Sequence, residues 1–222
     1  WKLHTPTVVS SLMAAQKGVV MTPAYRTLLR EYHQQKARFG VGRTLPERER
    51  MAKLVRELVA TLPATSVLDY GCGKGTLADD LEFPIWEYDP AILGKDRDPR
   101  PADLVICVGV LEHIEPECLH AVLQDLRRVT KRVAYFEIRC TSAARTLPDG
   151  RNAHLIVESP DWWREKLDKY LTVVQAFKAE GVSAIDLHLW AVPREGVQEG
   201  IEGDTDSLTI RPEDVRYTPV EI

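Results

Sequence analysis

The feature that most constrains this 222-residue chain is a glycine-rich loop that directly follows a short apolar segment. The stretch LDYGCGKGT, residues 68–76, carries Gly71, Gly73 and Gly75 at alternate positions. Glycine lets the backbone approach a ligand closely because no side chain stands between them. A loop of this kind between a strand and a helix is typical of α/β folds that bind nucleotides.

Two common phosphate-binding loops do not fit this stretch. A P-loop requires Ser or Thr after its lysine, but Lys74 is followed by Gly75, and the upstream glycine is missing. The dinucleotide loop G-x-G-x-x-G needs its third glycine where Thr76 stands. Asp69 precedes the glycines, and Glu87, where an acid can accept hydrogen bonds from ribose hydroxyls, follows 18 residues later. The pattern therefore favours a nucleoside ligand without a phosphate-specific contact.

The rest of the sequence alternates apolar strands with helical periodicity. We expect helices over 23–39 and 45–62, in an N-terminal helical extension, and over 74–82, 116–129 and 159–171. Strands are expected over 66–70, 85–89, 102–110, 132–139, 172–181 and 184–194. This order predicts a doubly wound α/β fold with a mainly parallel sheet. The last two strands are joined by so short a turn that they must be antiparallel.

Composition and charge divide the chain into three predicted segments: 1–63, an arm and a helical pair; 64–195, the α/β domain; and 196–222, an acidic tail. Residues 23–58 carry nine Lys or Arg against four Asp or Glu, about +5, so this face could receive a polyanion. The four cysteines lack the spacing of a zinc site, so we predict reduced thiols, a cytoplasmic location and no metal. No apolar run approaches a membrane span, so we predict no membrane partner.

Three motifs carry a resemblance to a known family: VLDYGCGKGTLADDL (67–81), WEYDP (86–90) and ADLVICVGVLEHI (102–114). Together they resemble the class I S-adenosylmethionine-dependent methyltransferases, over about residues 64–192. The resemblance implies a Rossmann-like, seven-stranded sheet with an antiparallel last hairpin, and S-adenosylmethionine as the cofactor. It implies a cofactor site built from Asp69, Tyr70, Gly71, Gly73, Gly75, Glu87, Tyr88, Asp89 and Val110. The family's acid for the adenine amine corresponds to either Asp96 or Asp98.

Candidate acceptor-side residues follow the later strands of the predicted sheet. His113 ends the LEHI segment, and Arg151, Asn152 and His154 crowd the loop LPDGRNAHLI, residues 147–156. Because α/β folds bind ligands beyond the carboxyl ends of their strands, these four are the predicted catalytic residues. His154 is the preferred general base. In the alternative interpretation, His113 and the loop have no catalytic role and only make structural hydrogen bonds.

The sequence leaves three alternatives for the function. The sequence contains neither the [DNS]-P-P-[YF] motif of amino-methylating DNA enzymes nor the Pro-Cys nucleophile of cytosine-C5 enzymes, which disfavours both classes. The LEHI segment is more typical of small-molecule methyltransferases, so its resemblance favours an oxygen or nitrogen atom of a small polar acceptor. Similarity of the 147–163 stretch to bacterial and phage-borne methyltransferase-like proteins keeps a nucleic acid or modified nucleotide as an alternative, bound through the basic residues 23–58. A binding protein without turnover is the third alternative. The oligomeric state is not predicted.

Overall fold

A computed structural model describes residues 18–35, 45–62, 64–180 and 185–193 of the chain. Its centre is a six-stranded sheet in the order β2-β1-β3-β4-β6-β5. The strands are β1 Val67–Tyr70, β2 Trp86–Tyr88, β3 Ala102–Val108, β4 Thr130–Arg139, β5 Leu171–Glu180 and β6 Ile185–Pro193. Strands β1 to β4 pair in parallel, and β6 pairs antiparallel with both β4 and β5. The mainly parallel sheet with an antiparallel last hairpin is thus confirmed.

The expectation of seven strands is not met among the described residues, where the sheet has six. The stretch between β2 and β3, residues 89–101, consists of turns and irregular backbone. Pro90, Pro99 and Pro101 lack the backbone N–H that a central ladder requires, and Gly94 takes a φ of 90°. The chain therefore passes from β2 to β3 without adding a strand.

Five α-helices surround the sheet in the described part of the chain. They are α1 Pro23–Gln35, α2 Leu45–Thr61, α3 Thr76–Asp79, α4 Leu119–Val129 and α5 Pro160–Leu167. Helix α3 is shorter than the predicted 74–82: the left-handed backbone of Gly75 precedes its first residue, and Asp80 follows its last residue as the C-cap. Residues 36–39 of the first predicted helix, the turn around Gly181 and the predicted tail lie outside the described residues.

The sheet is covered on both faces, so the molecule has three layers. Successive residues of β3 alternate between two apolar clusters: Val105 and Cys107 pack on the face of α4 and α5, and Leu104 and Ile106 on the face of α2. Helix α2 thus shares a core with the sheet, although the predicted segment boundary falls at residue 63. None of the described helices combines the length and the apolar character that crossing a bilayer would need.

Helix α1 lies away from both faces, in a third apolar cluster. Its Tyr25, Leu29 and Tyr32 pack with Leu147 and Ala153, which belong to the loop after β4. Thr22 caps the helix, since its Oγ1 accepts a hydrogen bond of 3.2 Å from the backbone N–H of Tyr25. Helix α1 therefore covers the edge of the sheet where the parallel strands end.

Candidate functional site

The glycine loop after β1 depends on glycine for its shape. Gly71, Gly73 and Gly75 have φ values of 79°, 53° and 85°, in the left-handed region that other residues rarely adopt. A Cβ atom at Gly71 would overlap the side chain of Val110, and one at Gly75 would overlap the ion pair of Glu87 and Lys95. The loop therefore needs glycine both for its backbone conformation and for its close contacts.

The end of β2 holds this loop in place through hydrogen bonds. The carbonyl oxygen of Tyr88 accepts from the N–H groups of Gly71 and Cys72, at 2.7 and 3.0 Å. The carboxylate of Asp89 accepts from Gly73 N–H at 3.0 Å and from Ala91 N–H at 2.8 Å. Asp89 thus fixes the loop and the turn after β2 together.

A cavity of about 1030 Å³ opens between the glycine loop, the ends of β3 and β4, and helix α1. This is the edge where α/β folds bind ligands, and the cavity is at the large end of the usual range for a ligand site. Eight of the predicted site residues line it: Asp69, Tyr70, Gly71, Gly73, Asp89, Val110, His113 and His154. We call Asp69, Tyr70, Gly71, Gly73 and Asp89 the glycine-loop wall.

Other predicted cofactor residues do not line this cavity. Glu87 forms an ion pair with Lys95, with Oε1 and Nζ 2.7 Å apart. Tyr88 is buried behind the loop with its ring centroid 4.9 Å from that of Tyr70. Gly75 also lies behind the cavity surface. Lys95 could not be predicted from the sequence, because a lysine in a turn belongs to no motif.

Neither candidate for the adenine acid lines the cavity. Asp96 pairs with Arg30 of α1, with 2.8 Å between Oδ2 and Nη2, and it also accepts from Gly94 N–H. Burial is the largest cause that raises the pKa of the Tyr88 phenol, and the charge of nearby Asp98 also raises it. Asp96 therefore ties α1 to the domain.

Three residues on the opposite side form what we call the histidine wall: Glu112, His113 and His154. The Nδ1 atoms of the histidines bond to backbone carbonyl oxygens, that of His113 to Ala153 at 2.7 Å and that of His154 to Thr141. Because a carbonyl only accepts, Nδ1 carries the hydrogen in the neutral ring and Nε2 keeps its lone pair. Burial lowers the pKa of both histidines, which favours this neutral form.

Glu112 is the most unusual member of the histidine wall. Its side chain is fully buried and lines the cavity. Oε1 accepts from Arg139 N–H at 3.3 Å, whereas Oε2 finds no hydrogen-bond partner among the described residues. Burial raises the pKa of Glu112 to about 7. The sequence placed this residue in a family motif but assigned it no role.

Arg151 and Asn152 build the loop that carries His154 and do not line the cavity. The amide of Asn152 exchanges two hydrogen bonds with the backbone of Ala143, at 2.8 and 3.0 Å, and also accepts from His154 N–H. Arg151 pairs with Asp149 at 2.7 Å and stacks over the ring of Tyr25. In this geometry both residues have positioning contacts.

Helix α1 closes the cavity from the outside. Its docking rests on Thr22, whose N–H and hydroxyl donate to the Glu115 carboxylate at 2.8 and 2.7 Å. The hydroxyl of Tyr25 donates to the carbonyl oxygen of His113 at 3.0 Å, which joins α1 to the histidine wall. Five residues of the segment 18–35 line the cavity: Val20, Met21, Tyr25, Leu29 and His33. The amphipathic pattern indicated the helix but could not indicate what it covers.

Arginines of the predicted basic face are paired with carboxylates of the same chain. Arg48 and Arg56 each make two hydrogen bonds, to Asp80 and Glu82 respectively, with distances of 2.6–2.8 Å. Arg50 reaches 3.0 Å from Glu137, a cavity residue. These contacts neutralise much of the charge that residues 23–58 would otherwise present to a polyanion.

The fold and the cavity beside a glycine loop define a class I methyltransferase architecture. A family model described as a methyltransferase domain matches residues 43–187, well over half of the 222 residues. The chain belongs to this methyltransferase family, which confirms the family resemblance found in the sequence motifs. A comparison with curated protein sequences found no match.

Solved structures share the fold at low sequence identity. The 1,6-didemethyltoxoflavin-N1-methyltransferase of Burkholderia thailandensis, with bound 1,6-didemethyltoxoflavin and S-adenosylhomocysteine, has 18% identity and a TM-score of 0.56, covering 78% of this chain and 90% of its own. The N-methyltransferase NodS of Bradyrhizobium japonicum WM9, with S-adenosylhomocysteine, has 18% identity, a TM-score of 0.53 and coverage of 78% and 100%. Magnesium protoporphyrin IX methyltransferase of Synechocystis PCC 6803, with bound S-adenosylmethionine, has 18% identity and a TM-score of 0.53. The match covers 76% of this chain and 97% of that protein.

Proposed function

We propose that this protein transfers a methyl group from S-adenosylmethionine to an oxygen or nitrogen atom of a small polar acceptor. The observation that carries the proposal is one cavity that joins the glycine-loop wall to the histidine wall. A methyl donor bound at the first wall and an acceptor at the second would be held in one enclosed space. Holding two reactants in alignment can supply about 7–11 kcal/mol of the barrier.

The glycine-loop wall fits S-adenosylmethionine by shape and by chemistry. Gly71 packs so closely on Val110 that a Cβ atom would overlap it, and Gly71, Asp69 and Asp89 line the same cavity. Acids beside a nucleoside accept hydrogen bonds from its hydroxyl and amino groups. When bound, the cofactor supplies an electrophilic methyl group on a sulfonium, whose sulfur keeps the electron pair as the carbon–sulfur bond breaks. The solved structures that share the fold with bound cofactor or its product support this assignment.

Glu87 remains the proposed ribose acid, and Gly75 and Tyr88 remain proposed cofactor-binding residues. Its ion pair with Lys95 must open, or share the carboxylate, for ribose hydroxyls to bind. Asp89 already lines the cavity two residues further along the same strand end. The proposal for Glu87 therefore rests on the family resemblance, and the geometry favours an additional role for Asp89.

The acceptor would lie against the histidine wall. His154 is the proposed general base and His113 the second candidate, because both rings keep a lone pair on Nε2. A positioned base contributes about 10²–10⁴-fold when the acceptor loses a proton. Arg151 and Asn152 act in this proposal by positioning the loop of His154.

The closed position of α1 favours a small acceptor over nucleic acid. Met21, Tyr25 and Leu29 stand between the cavity and the outside, so a polymer would require α1 to move. The ion pairs of Arg48 and Arg56 also leave less free charge for phosphates. Retention on a DNA or RNA column with a steep salt dependence would instead support the nucleic-acid alternative.

The experiment has two stages, binding and turnover. Calorimetry with S-adenosylmethionine and S-adenosylhomocysteine measures cofactor binding, and failure of both to bind would sink the proposal. Transfer of a radiolabelled methyl group to fractionated small-molecule extract, DNA and RNA then measures turnover. Binding with no transfer to any fraction would favour a binding protein without turnover.

A further inference from the structure

We infer that Glu112, His113 and His154 form a binding site for a divalent transition-metal cation, such as Zn²⁺ or Mn²⁺, on the acceptor side of the cavity. One potential ligand atom from each residue lies within 4.8 Å of the others. Two imidazoles and one carboxylate suit Zn²⁺, Mn²⁺ or Fe²⁺ better than Mg²⁺ or Ca²⁺, which prefer oxygen ligands. The inference deepens the proposed function by naming what would activate the acceptor, and it rests on that function.

The first argument is the orientation of the two histidines. Metal-binding histidines usually donate their other ring N–H to a backbone carbonyl or carboxylate, which fixes the ring and the tautomer. Here the Nδ1 atoms of both His113 and His154 are engaged with carbonyl oxygens, of Ala153 and Thr141. The ring centroids lie 4.9 Å apart with the planes at 77°. Both Nε2 lone pairs are therefore left for a third group.

The second argument is the unpartnered oxygen of Glu112. A fully buried carboxylate oxygen without a hydrogen-bond partner carries a large desolvation cost. Oε2 of Glu112 is in this situation among the described residues, and the residue lines the cavity beside both histidines. A cation would provide the missing partner, whereas a purely structural role leaves the oxygen unexplained.

The geometry needs only a modest contraction to bind an ion. Ligands of Zn²⁺ sit about 2.0–2.2 Å from the metal and so roughly 3.3 Å from one another in a tetrahedral site. The potential ligand atoms lie within 4.8 Å of one another, so binding would draw them at most about 1.5 Å closer. Arg139 is the opposing charge in the same cavity, and its guanidinium is directed to Glu47 at 3.6 Å. Glu137 adds a second carboxylate to this part of the wall.

Three protein ligands leave at least one coordination position open, as in catalytic metal sites. An acceptor hydroxyl that occupied it would become more acidic, and its proton would leave to solvent water before the carbon–oxygen bond forms. Because Nε2 of His154 would then be a ligand, the cation would replace His154 as the group that activates the acceptor. The cavity would then favour oxygen acceptors over amines. The predicted absence of a metal rested on the lack of C-x-x-C spacing and of a histidine placed for a zinc cluster with the cysteines, whereas His113 and His154 are far apart in the sequence and meet only in the fold.

The test measures binding of Zn²⁺ and Mn²⁺ alone to tag-free protein after chelator treatment, by calorimetry and by elemental analysis. We expect one cation per chain, with affinity at least about tenfold weaker in Glu112→Gln and His154→Gln. His120→Ala is the matched control, because this exposed histidine lies outside the cavity and should leave cation affinity unchanged. X-ray absorption of the Zn²⁺ form should show two imidazole nitrogens, which does not depend on the folding of any variant.

Absence of stoichiometric binding, or equal affinity in wild type and both wall variants, overturns the inference. Loss of binding in His120→Ala or a zinc shell without imidazoles does the same. S-adenosylhomocysteine calorimetry on the same samples keeps the two proposals separate. Cofactor binding without cation binding removes only the metal site, whereas failure to bind the cofactor removes the proposed function.

Discussion

The two walls of the cavity are built in different ways. The glycine-loop wall comes from residues 69–73 and from Asp89, which the parallel neighbours β1 and β2 bring together, and its contacts are largely backbone contacts. The histidine wall draws Glu112 and His113 from the segment after β3 and His154 from the loop after β4. Helix α1 then closes over this side from a distant part of the sequence. The first wall is encoded by a local motif, and the second depends on long-range packing.

The largest expected effect breaks the histidine wall while sparing the glycine-loop wall. In His154→Gln the lone pair at Nε2 is lost, so methyl transfer should fall by about 10²–10⁴-fold. Affinity for S-adenosylhomocysteine should stay within about threefold of wild type, since His154 belongs to the other wall. Single-turnover transfer and calorimetry give the two numbers. A parallel loss of both would mean that the walls are not separate.

The converse variant, Gly71→Ala, should break the glycine-loop wall. Its φ of 79° and the overlap with Val110 should lower cofactor affinity by more than about a hundredfold, or roughly 2.7 kcal/mol. Gly150→Ala is the matched control, because Gly150 has a φ of 87° but open space around its Cβ position. Adding Val110→Ala to the first variant should restore part of the affinity. Equal loss in the Gly71 and Gly150 variants would count against close packing as the cause.

Glu87 tests how far the glycine-loop wall extends. If it accepts hydrogen bonds from ribose, Glu87→Gln should weaken S-adenosylhomocysteine binding by about tenfold, because hydrogen bonds to a charged group are worth about 1.5–3 kcal/mol. Lys95→Met removes the competing ion pair and should not weaken binding. Calorimetry on both variants decides the point. Weakening in Lys95→Met alone would assign the contact to the lysine.

Helix α1 should respond to changes at its docking point more than to changes on its outer face. Thr22→Val removes the hydroxyl's hydrogen bond to Glu115 and the helix cap but keeps the backbone N–H bond to Glu115, at a cost of about 1–2 kcal/mol. Amide hydrogen exchange in residues 23–35 should therefore accelerate. Thr27→Val, which removes an exposed bond to Pro23, is the control and should change exchange little. Equal acceleration in the two variants would argue against docking through Glu115.

The smallest effect concerns acid stability away from the cavity. The hydrogen bond from Arg48 lowers the pKa of Asp80 below its value in the unfolded chain. Stability from this pair is therefore present above the unfolded pKa of about 3.9 and is lost as the pH falls through the folded pKa. Arg48→Gln should slightly reduce the dependence of the unfolding free energy on pH between pH 5 and pH 2. Denaturant titrations across this range measure it, and an unchanged pH slope would mean that the pair is screened.

Sequence patterns sufficed for features with a short period or a fixed spacing. Strand alternation, the glycine loop and the antiparallel last hairpin all follow from local residue order, and each matches the observed sheet. The ion pair of Lys95 with Glu87 has no such signature. Nor does the burial of Glu112, because the same motif is compatible with an exposed turn. The position of α1 could not be predicted, because the pattern of an amphipathic helix shows which face is buried but not which part of the protein covers it.

The place of β6 in the sheet determines when the wall of the cavity is completed during synthesis. Strand β6 pairs along β4 from Ala134 to Arg139, although it is the last described strand to leave the ribosome. Glu137 and Arg139 on β4 belong to the cavity, so this wall lacks its neighbour until residues 185–193 have emerged. A nascent chain that already contains every motif residue would therefore still hold an incomplete site.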